Sequence, residues 1–231
     1  PAGTGLGSSS SFAVGLMHAL YALKGQYVTK YTLAESAAQI EINILKRTMG
    51  KQDHYAASYG NLNIFTFQPD ESVVVEPVFY QMEVKNTLDD NLMLFYTKLK
   101  RDASEVLKTQ NRAISKKRKV LQKMRDLVHP LKDVLSGKNN VNVFGEILHK
   151  NWMLKKSITD QVSSAKIDVY YDKAIAAGAI GGKLLGAGGG GFLLFYVEKK
   201  NQNSVREVLS ELYELKFELD TDGTRITYYD Q

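Results

Sequence analysis

The spacing of apolar positions in residues 1–80 predicts two helices followed by a β-hairpin. One stripe recurs at helical spacing, and we expect the first helix to bury it: Phe12, Leu16, Leu20 and Leu23. A second helix is expected over 32–47, where Thr32 and Glu35 have the spacing of a capping box, with Thr32 as the N-cap. Alternating apolar residues then predict strands at 61–68 and 73–78.

The rest of the chain mixes short apolar runs with long helical patterns. Its expected elements are a buried strand at 92–96, helices at about 102–136, 140–156 and 163–178, a strand at 192–197, a helix at 202–213 and strands at 215–219 and 225–229. Pro130 is expected to kink or break the first of these helices, and Asp222-Gly223 to form the turn between the last two strands. This order predicts an α+β protein with two domains, 1–80 and 81–231.

Composition narrows the classes of protein that the chain can represent. It has 231 residues, of which 44% are hydrophobic and 24% charged, as in ordinary globular proteins. The absence of cysteine excludes disulfides, thiolate metal sites and a cysteine nucleophile, and we expect a reducing compartment, the cytoplasm. No apolar run approaches the length of a membrane span, and a net charge of +5 is too small to indicate nucleic acid. We therefore expect neither a membrane nor a nucleic acid as a partner.

Many basic residues are concentrated in one predicted helix. They are Lys116, Lys117, Arg118, Lys119, Lys123 and Arg125. Apolar residues at helical spacing supply the buried side of that helix, so the cluster is expected to form its solvated face. A polyanion site is the alternative, but no aromatic residues interleave with the basic ones as they do in single-strand nucleic-acid sites.

A glycine- and serine-rich loop runs directly into the first predicted helix. Gly3, Gly5 and Gly7 allow the backbone to bend and to approach an anion without a Cβ in the way. Unpaired amides and the positive end of the helix dipole attract phosphate at such a junction. The four serines that follow can cap the helix or reach a magnesium ion. A serine cap on a glycine turn, without any ligand, is the alternative.

Two carboxylates further along the chain could carry chemistry. Glu41 falls on the second predicted helix, and Asp53 follows that helix in a loop after Gly50. A carboxylate in such a place can hold a metal ion or accept a proton from an attacking hydroxyl. Spacing alone favours the alternative, in which Glu41 is a surface residue and Asp53 only caps the next helix.

A second glycine-rich segment lies at 186–191. Five of its six residues are glycine, and each glycine adds backbone entropy that is lost on folding. Either a ligand phosphate or the first glycine-rich loop is therefore expected to approach this backbone closely. A long flexible connection is the alternative, and the apolar residues that flank the segment on both sides argue against it.

Taken together, these segments resemble the GHMP kinase superfamily, named after galactokinase, homoserine kinase, mevalonate kinase and phosphomevalonate kinase. Residues 1–11, PAGTGLGSSSS, resemble its second motif, the phosphate-binding loop; residues 183–191, KLLGAGGGG, resemble its third motif, which packs against that loop. Glu41 and Asp53 fall where the family has a magnesium-binding glutamate and a catalytic aspartate. The resemblance covers essentially the whole chain. It implies a two-domain fold with a partial ribosomal-protein-S5-domain-2-like N-terminal domain and a ferredoxin-like C-terminal domain.

Within the superfamily, the chain resembles the bacterial D-glycero-D-manno-heptose 7-phosphate kinases at residues 50–57, 94–97 and 222–229. This resemblance implies an enzyme that uses ATP and Mg²⁺ to phosphorylate the anomeric hydroxyl of heptose 7-phosphate. The 1,7-bisphosphate would then serve the synthesis of nucleotide-activated heptose and surface glycans. Another sugar kinase, such as a fucokinase or galactokinase, and a non-catalytic sugar- or nucleotide-binding relative are the alternatives. A homodimer is left open.

The resemblance implies a role for each candidate residue. The loop that would hold the ATP phosphates consists of Gly3, Gly5, Leu6, Gly7, Ser8, Ser9 and Ser10. Ser9 and Glu41 would be the magnesium ligands, with either neighbouring serine as a substitute for Ser9. Asp53 would orient or deprotonate the sugar hydroxyl. Lys51 and Arg101 are candidates for holding sugar or phosphate groups, and ordinary surface charge is the alternative for both.

The chain departs from the family pattern at its front. GHMP kinases usually carry a further segment before the phosphate-binding loop, with a first motif that binds substrate and places a basic residue beside the catalytic acid. We therefore expect the sequence to be a fragment whose first domain lacks strands and exposes apolar surface and a sheet edge. We also expect this polypeptide alone to be inactive.

Overall fold

The computed structural model describes residues 5–99 and 103–229, and these fall into two compact units. The N-terminal unit consists of Gly7–Val78 together with residues 219–229. The C-terminal unit consists of Phe79–Glu218 together with Gly5 and Leu6. The expected division into domains 1–80 and 81–231 stays a prediction, and the final segment packs with the first of the two units.

Helices and a two-stranded hairpin form the N-terminal unit. Its elements are α1 (Ser8–Leu23), α2 (Lys30–Ala38), a π-helical segment (Gln39–Ile44) that continues α2, α3 (Gln52–Tyr59), β1 (Asn63–Phe67) and β2 (Val73–Pro77). The two strands pair antiparallel with Phe65 opposite Val75, so the predicted hairpin is confirmed. A small core joins strands to helices, because Ala34, Tyr55 and Val73 are buried together.

The buried side of α1 is not the one that the apolar spacing predicts. All four residues of the expected stripe are exposed, by 43% to 78%: Phe12, Leu16, Leu20 and Leu23. The helix instead buries Ser10 and Val14 and packs against α2 and α3. Helical spacing identifies a stripe that could be buried, but the position of the neighbouring helices decides which side they cover.

The start of α2 also differs from the prediction. Thr29 has an extended backbone and is the N-cap, and its hydroxyl accepts a hydrogen bond from the amide of Thr32 at 3.1 Å. The expected cap at Thr32 is therefore wrong. Glu35 does not close a capping box; its carboxylate pairs with Lys51 at 3.0 Å. The α-helical part ends at Ala38, where the wider π-helical turns begin.

The last described segment returns to the N-terminal unit. The amide of Thr224 donates to the carbonyl of Ala57 at 3.0 Å. Gly223 and Gly60 are in direct backbone contact, since a Cβ on Gly60 would lie 2.0 Å from the Gly223 nitrogen. The prediction of a strand at 225–229, with a hairpin turn before it, is therefore wrong. The backbone of this segment contacts α3 instead.

A four-stranded antiparallel sheet with surrounding helices forms the C-terminal unit. Its elements are α4 (Met82–Asn91), β3 (Leu92–Tyr96), α5 (Ala103–Arg125), α6 (Val128–Leu135), α7 (Val143–Lys156), α8 (Ala165–Ala176), β4 (Gly181–Leu184), β5 (Phe192–Tyr196), a short 3-10 turn (Lys199–Asn201), α9 (Gln202–Val208) and β6 (Tyr213–Leu215). The strand order is β4-β5-β3-β6, and Leu94 of β3 lies opposite Leu194 of β5. This is the split β-α-β arrangement of ferredoxin-like folds, as expected.

Aromatic side chains link the helices to this sheet. Tyr171 of α8 contacts Trp152 of α7, with ring centroids 6.1 Å apart, and Phe195 of β5, with centroids 5.6 Å apart. All three side chains are fully buried. Such aromatic contacts add to the free energy gained from burial. They hold the end of α7 against the sheet, where β4 packs on it.

One strand of this sheet, just before the second glycine-rich segment, is absent from the predicted elements. Residues 181–184 form β4, which pairs with β5 so that Lys183 lies opposite Leu194. Gly181 allows β4 to lie directly on α7, since a Cβ there would lie 1.9 Å from the carbonyl oxygen of Gly145. The strand therefore depends on tertiary contact and not on strand propensity.

Helix boundaries account for the other corrections in this unit. The long helical pattern breaks between Arg125 and Val128, and not at Pro130. That proline lies in the first turn of α6, where a missing amide costs nothing. The helix expected at 202–213 ends at Val208, and the strand expected at 215–219 is replaced by β6.

The basic cluster of α5 lies on a solvated face, as predicted. Most of its side chains are exposed. Lys117 is partly buried, and its Nζ donates to the carbonyl of Ser157 at 2.6 Å. Within residues 5–99 and 103–229, no helix is long and apolar enough to cross a membrane.

Candidate active site

The N-terminus of α1 presents backbone amides that have no partner within the helix. Gly7 is the N-cap residue, with φ +66°, and no side chain caps the helix. The first intrahelical hydrogen bond runs from the amide of Ser11 to the carbonyl of Gly7, at 2.9 Å. The three amides before Ser11 and the helix dipole can therefore bind an anion. The alternative of a serine cap is wrong.

Glu41 lies at the centre of a buried hydrogen-bonded group. Its side chain belongs to the π-helical segment and the residue is 3% exposed. The hydroxyl of Ser9 donates to Oε1 of Glu41, and Nε2 of His54 lies 2.8 Å from Oε2. Burial raises the pKa of Glu41, but the hydrogen bonds from Ser9 and His54, together with the charges of His54 and Arg47, hold that pKa below its usual value. The alternative of a surface glutamate is therefore wrong.

One guanidinium group contacts both of the expected magnesium ligands, which are also hydrogen-bonded to each other. Arg47 contacts the hydroxyl oxygen of Ser9 and, at 2.5 Å, Oε1 of Glu41. These oxygens thus accommodate a cation, and they are the hard ligands that Mg²⁺ prefers, so the residues fit a magnesium ion. Among the described residues, no group of three or more His, Asp or Glu could hold a metal by itself. Phosphate and water oxygens would complete the coordination of such an ion.

The carboxyl group of Asp53 lies beside Gly7, in the glycine- and serine-rich loop. A Cβ on Gly7 would be 3.4 Å from Cγ of Asp53. Asp53 is in the first turn of α3, whose N-cap residue is Lys51, so the alternative of Asp53 as a cap is wrong. Desolvation raises the pKa of Asp53; the charge of His54 opposes this and that of Glu41 adds to it. A carboxylate with a raised pKa is a better proton acceptor than an ordinary surface aspartate.

The two glycine-rich segments are in backbone contact within the C-terminal unit. Gly5 and Gly186 both have left-handed backbones, with φ +80° and +70°, and a Cβ on Gly186 would lie 2.6 Å from Cα of Gly5. Only glycine allows this approach. The expectation that the segments pack together is therefore confirmed, and the alternative of a flexible connection is wrong.

The remaining candidates are placed differently. The Nζ of Lys51 donates to the carboxylate of Glu35 at 3.0 Å and to the carbonyl of Glu71 at 3.1 Å. It thus ties α3 to α2 and to the hairpin turn, and its assignment to a sugar or phosphate stays a prediction. Gly3 and Arg101 lie outside the described residues.

The hydrophobic pattern of the sequence gives no sign of three residues that contact the candidate site or the second glycine-rich segment: Arg47, His54 and Lys155. Arg47 and His54 reach Glu41 from positions 6 and 13 residues away. Lys155 reaches the carbonyl of Gly186 across 31 residues. Only His54 stands inside a segment that the family resemblance singles out, directly after Asp53.

Comparison with known proteins connects this geometry with a kinase family. The model for the GHMP kinases N terminal domain matches residues 1–61, and the model for the GHMP kinases C terminal matches residues 131–215. Both models describe domains of the GHMP kinases. The chain belongs to the GHMP kinase family.

Curated relatives are sugar kinases. The D-glycero-alpha-D-manno-heptose 7-phosphate kinase of Campylobacter jejuni is 29% identical, over 97% of this chain and 67% of its own length. A galactokinase of Pyrococcus furiosus is 26% identical, over 94% of this chain and 67% of its own. The chain therefore spans about two thirds of the length of the relatives it matches.

Solved structures show the same fold. A D-glycero-D-manno-heptose 1-phosphate kinase from Bacteroides thetaiotaomicron has a TM-score of 0.67 at 27% identity, and the match covers 99% of this chain and 66% of that one. A putative sugar kinase from Campylobacter jejuni has a TM-score of 0.69 at 28% identity, covering 96% and 65%. A mevalonate kinase with a TM-score of 0.73 is 20% identical, covers 96% and 67%, and supports the fold alone.

Proposed function

We propose that the protein containing this chain transfers the γ-phosphate of ATP to the anomeric hydroxyl of D-glycero-D-manno-heptose 7-phosphate, giving the 1,7-bisphosphate. The observation that carries this proposal is the position of the Asp53 carboxyl group beside Gly7, at the N-terminus of α1. A proton acceptor and an anion-binding helix end then adjoin each other, as phosphoryl transfer to a hydroxyl requires. The heptose kinase of Campylobacter jejuni supports the choice of sugar.

The loop and the helix end would bind the phosphates of ATP. The proposed binding residues are Gly3, Gly5, Leu6, Gly7, Ser8, Ser9 and Ser10, of which Gly3 lies outside the described residues. Their amides and the α1 dipole act through fixed partial charges, so little reorganisation is needed when negative charge shifts during transfer.

Ser9 and Glu41 would hold the magnesium ion that accompanies ATP, in the space where Arg47 now lies. When bound, magnesium neutralises charge on the β- and γ-phosphates. The lowered pKa of Glu41 keeps its carboxylate ionised for this purpose. His54 holds the second carboxylate oxygen and so keeps the first one directed at Ser9.

Asp53 would orient the anomeric hydroxyl and accept its proton. As that oxygen forms its bond to the γ-phosphorus, the bond from the γ-phosphorus to the bridging oxygen breaks and ADP leaves. The proton passes to the Asp53 carboxylate, whose raised pKa suits this role. The cytoplasm, which supplies ATP, is the proposed location.

Asp53→Asn in the full-length protein tests this role. We expect kcat to fall by about 100-fold or more, while the affinity for ATP stays within about twofold of the wild type. ADP release and ³¹P NMR of the sugar product measure kcat, and calorimetry measures the affinity for ATP. Asp126→Asn, at an exposed aspartate between α5 and α6, is the control and should leave both unchanged. Unchanged turnover in Asp53→Asn removes Asp53 from the mechanism.

A substrate panel tests the sugar. Heptose 7-phosphate, heptose, galactose and fucose are compared by kcat/KM with ATP, and the proposal requires the highest value for heptose 7-phosphate. A preference for galactose or fucose supports the alternative of a galactokinase or fucokinase. Binding of sugar and nucleotide without turnover supports a non-catalytic relative.

A further inference from the structure

Two lysines of the C-terminal unit converge near the second glycine-rich segment. Lys155 lies in the last turn of α7 and Lys183 lies in β4, and these two elements pack together. The Nζ of Lys155 donates a hydrogen bond to the carbonyl of Gly186 at 2.5 Å. Gly186 is in backbone contact with Gly5. The Lys155 ammonium group therefore lies beside the point where the two glycine-rich segments meet.

Among the described residues, no carboxylate forms an ion pair with Lys155 or Lys183, whereas the adjacent Lys156 pairs with Asp168 at 2.8 Å. Both lysines are only partly exposed. Burial, followed by the charge of Lys183, lowers the pKa of Lys155 to about 8, and burial lowers that of Lys183 as well. The fold thus keeps two ammonium groups close together at a cost in free energy.

An anionic ligand would remove this cost. Each ammonium group has three hydrogen-bond donors, and the carbonyl of Gly186 uses one donor of Lys155. A phosphate dianion could accept hydrogen bonds from both lysines and favour their charged forms. Clustered ionisable groups with perturbed pKa values and no partner of opposite charge are typical of binding sites.

We propose that Lys155 and Lys183 form a phosphate-binding subsite for one of the two substrates. This rests on the proposed function, which supplies two phosphate-bearing ligands, ATP and a sugar phosphate. The C-terminal unit would then contribute two lysines to substrate binding, in addition to the loop at Gly5 and the helix end at Ser8.

Calorimetric titration of the full-length protein tests the subsite with three probes: heptose 7-phosphate, magnesium AMP-PNP and inorganic phosphate. The variants are Lys155→Gln and Lys183→Gln, and Lys156→Gln is the matched control, one residue away with the same change of charge. We expect one of the two organic phosphates to bind about tenfold more weakly to both variants, the effect of losing one charge-assisted hydrogen bond. The control should stay within about twofold. The probe that weakens identifies the substrate whose phosphate is bound.

A second variant separates charge from folding. Lys155→Arg keeps the positive charge and should retain most of the affinity that Lys155→Gln loses. Circular dichroism and thermal unfolding check each variant, and should Lys155→Gln fail to fold, Lys183→Gln carries the same expectation.

The subsite and the proposed function fail in different ways. If all three probes bind to both glutamine variants as they do to the wild type, there is no such subsite, even in an active kinase. If the wild type does not bind heptose 7-phosphate, the proposed sugar is wrong. The nucleotide and inorganic-phosphate titrations still decide the role of Lys155 and Lys183 in that case.

Discussion

The imidazole Nε2 of His54 lies 2.8 Å from a carboxylate oxygen of Glu41, and both side chains are almost completely buried. The other imidazole nitrogen, Nδ1, has no hydrogen-bond partner among the described residues. The one polar contact of this ring is therefore directed at Glu41, whose second oxygen faces Ser9 and Arg47. We interpret His54 as a positioning residue that orients the proposed magnesium ligand.

Removing this imidazole should weaken the binding of a divalent cation. We expect His54→Ala to lower the affinity for Mn²⁺, measured by electron paramagnetic resonance with AMP-PNP present, by about tenfold or more. His54→Gln can donate a similar hydrogen bond to Glu41 and should recover part of the loss. His129→Ala, at an exposed histidine of α6, should have no effect. A normal Mn²⁺ affinity in folded His54→Ala would show that Glu41 needs no such support.

Arg47 should compete with a metal ion for the same oxygens. Its guanidinium contacts both Ser9 and Glu41, so a cation that binds there must displace it. We expect Arg47→Ala to bind Mn²⁺ several-fold more tightly than the wild type when no nucleotide is present. In this variant the metal ion need not break the Arg47–Glu41 ion pair, which contributes about 1 kcal/mol. Lys24→Ala removes an equal charge at an exposed site and controls for the general electrostatic effect of losing one positive charge. Weaker binding in Arg47→Ala would mean that Arg47 supports the cation site instead.

The contact between the glycine-rich segments should not tolerate a side chain. Gly186→Ala places a Cβ 2.6 Å from Cα of Gly5 at a φ of +70°, and we expect it to lower the free energy of unfolding by about 1–3 kcal/mol. Gly15→Ala is the matched control, because Gly15 lies within α1 and has no atom within 4 Å of the new Cβ. That change should raise the free energy of unfolding by about 0.5–1 kcal/mol. Urea unfolding measures both, and equal stability of the two variants would contradict the close approach of Gly5 and Gly186.

Phosphate binding should depend on pH through Lys155. The charged groups on the elements around it are Lys183 on β4, Lys117 on α5 and the Lys156–Asp168 pair. In the free protein the pKa of Lys155 is lowered to about 8, and a bound dianion should return it towards the usual value of about 10.4. Above a pH of about 8, the free lysine loses its proton while the bound one keeps it. A phosphate monoester has a second pKa of about 6 and is a dianion by a pH of about 7. Affinity is therefore expected to be steady between a pH of about 7 and about 8, and to fall as the pH rises further.

Proton uptake measures this linkage directly. Calorimetric titrations at a pH of about 8.5, in buffers with different ionisation enthalpies, should show protons taken up when the phosphate ligand binds. Lys155→Gln should abolish most of the uptake, and Lys156→Gln should preserve it. An affinity that stays constant across this range would contradict the assignment of phosphate binding to Lys155.

Local sequence patterns predicted the strands whose own residues favour a strand. The strand β3, Leu92–Tyr96, coincides with the apolar run at 92–96, and the β1–β2 hairpin lies where alternation indicates it. In contrast, β4 was missed because its glycines have low strand propensity. It exists because β5 supplies hydrogen-bond partners and α7 lies against it.

The residues of the candidate site were likewise predicted only in part. Glu41 and Asp53 were candidates from residue type and position, but only the family resemblance favoured a functional role for them, since their spacing by itself favoured surface or capping roles. Burial of Glu41 and the position of Asp53 beside Gly7 became visible only in the folded chain. Arg47 and Lys155 carry no local signal, because the partner of each is chosen by how the chain packs.

The sequence by itself determined the composition class, the two glycine-rich segments and the family to which they point, because these depend on residue type and order. Tertiary structure decided which side of α1 is covered, where the chain after Leu219 returns, and which charges meet. The physical reason is that periodicity and propensity act over a few residues. Burial, ion pairing and pKa depend on neighbours brought together by packing, as with Lys155 and Gly186, 31 residues apart.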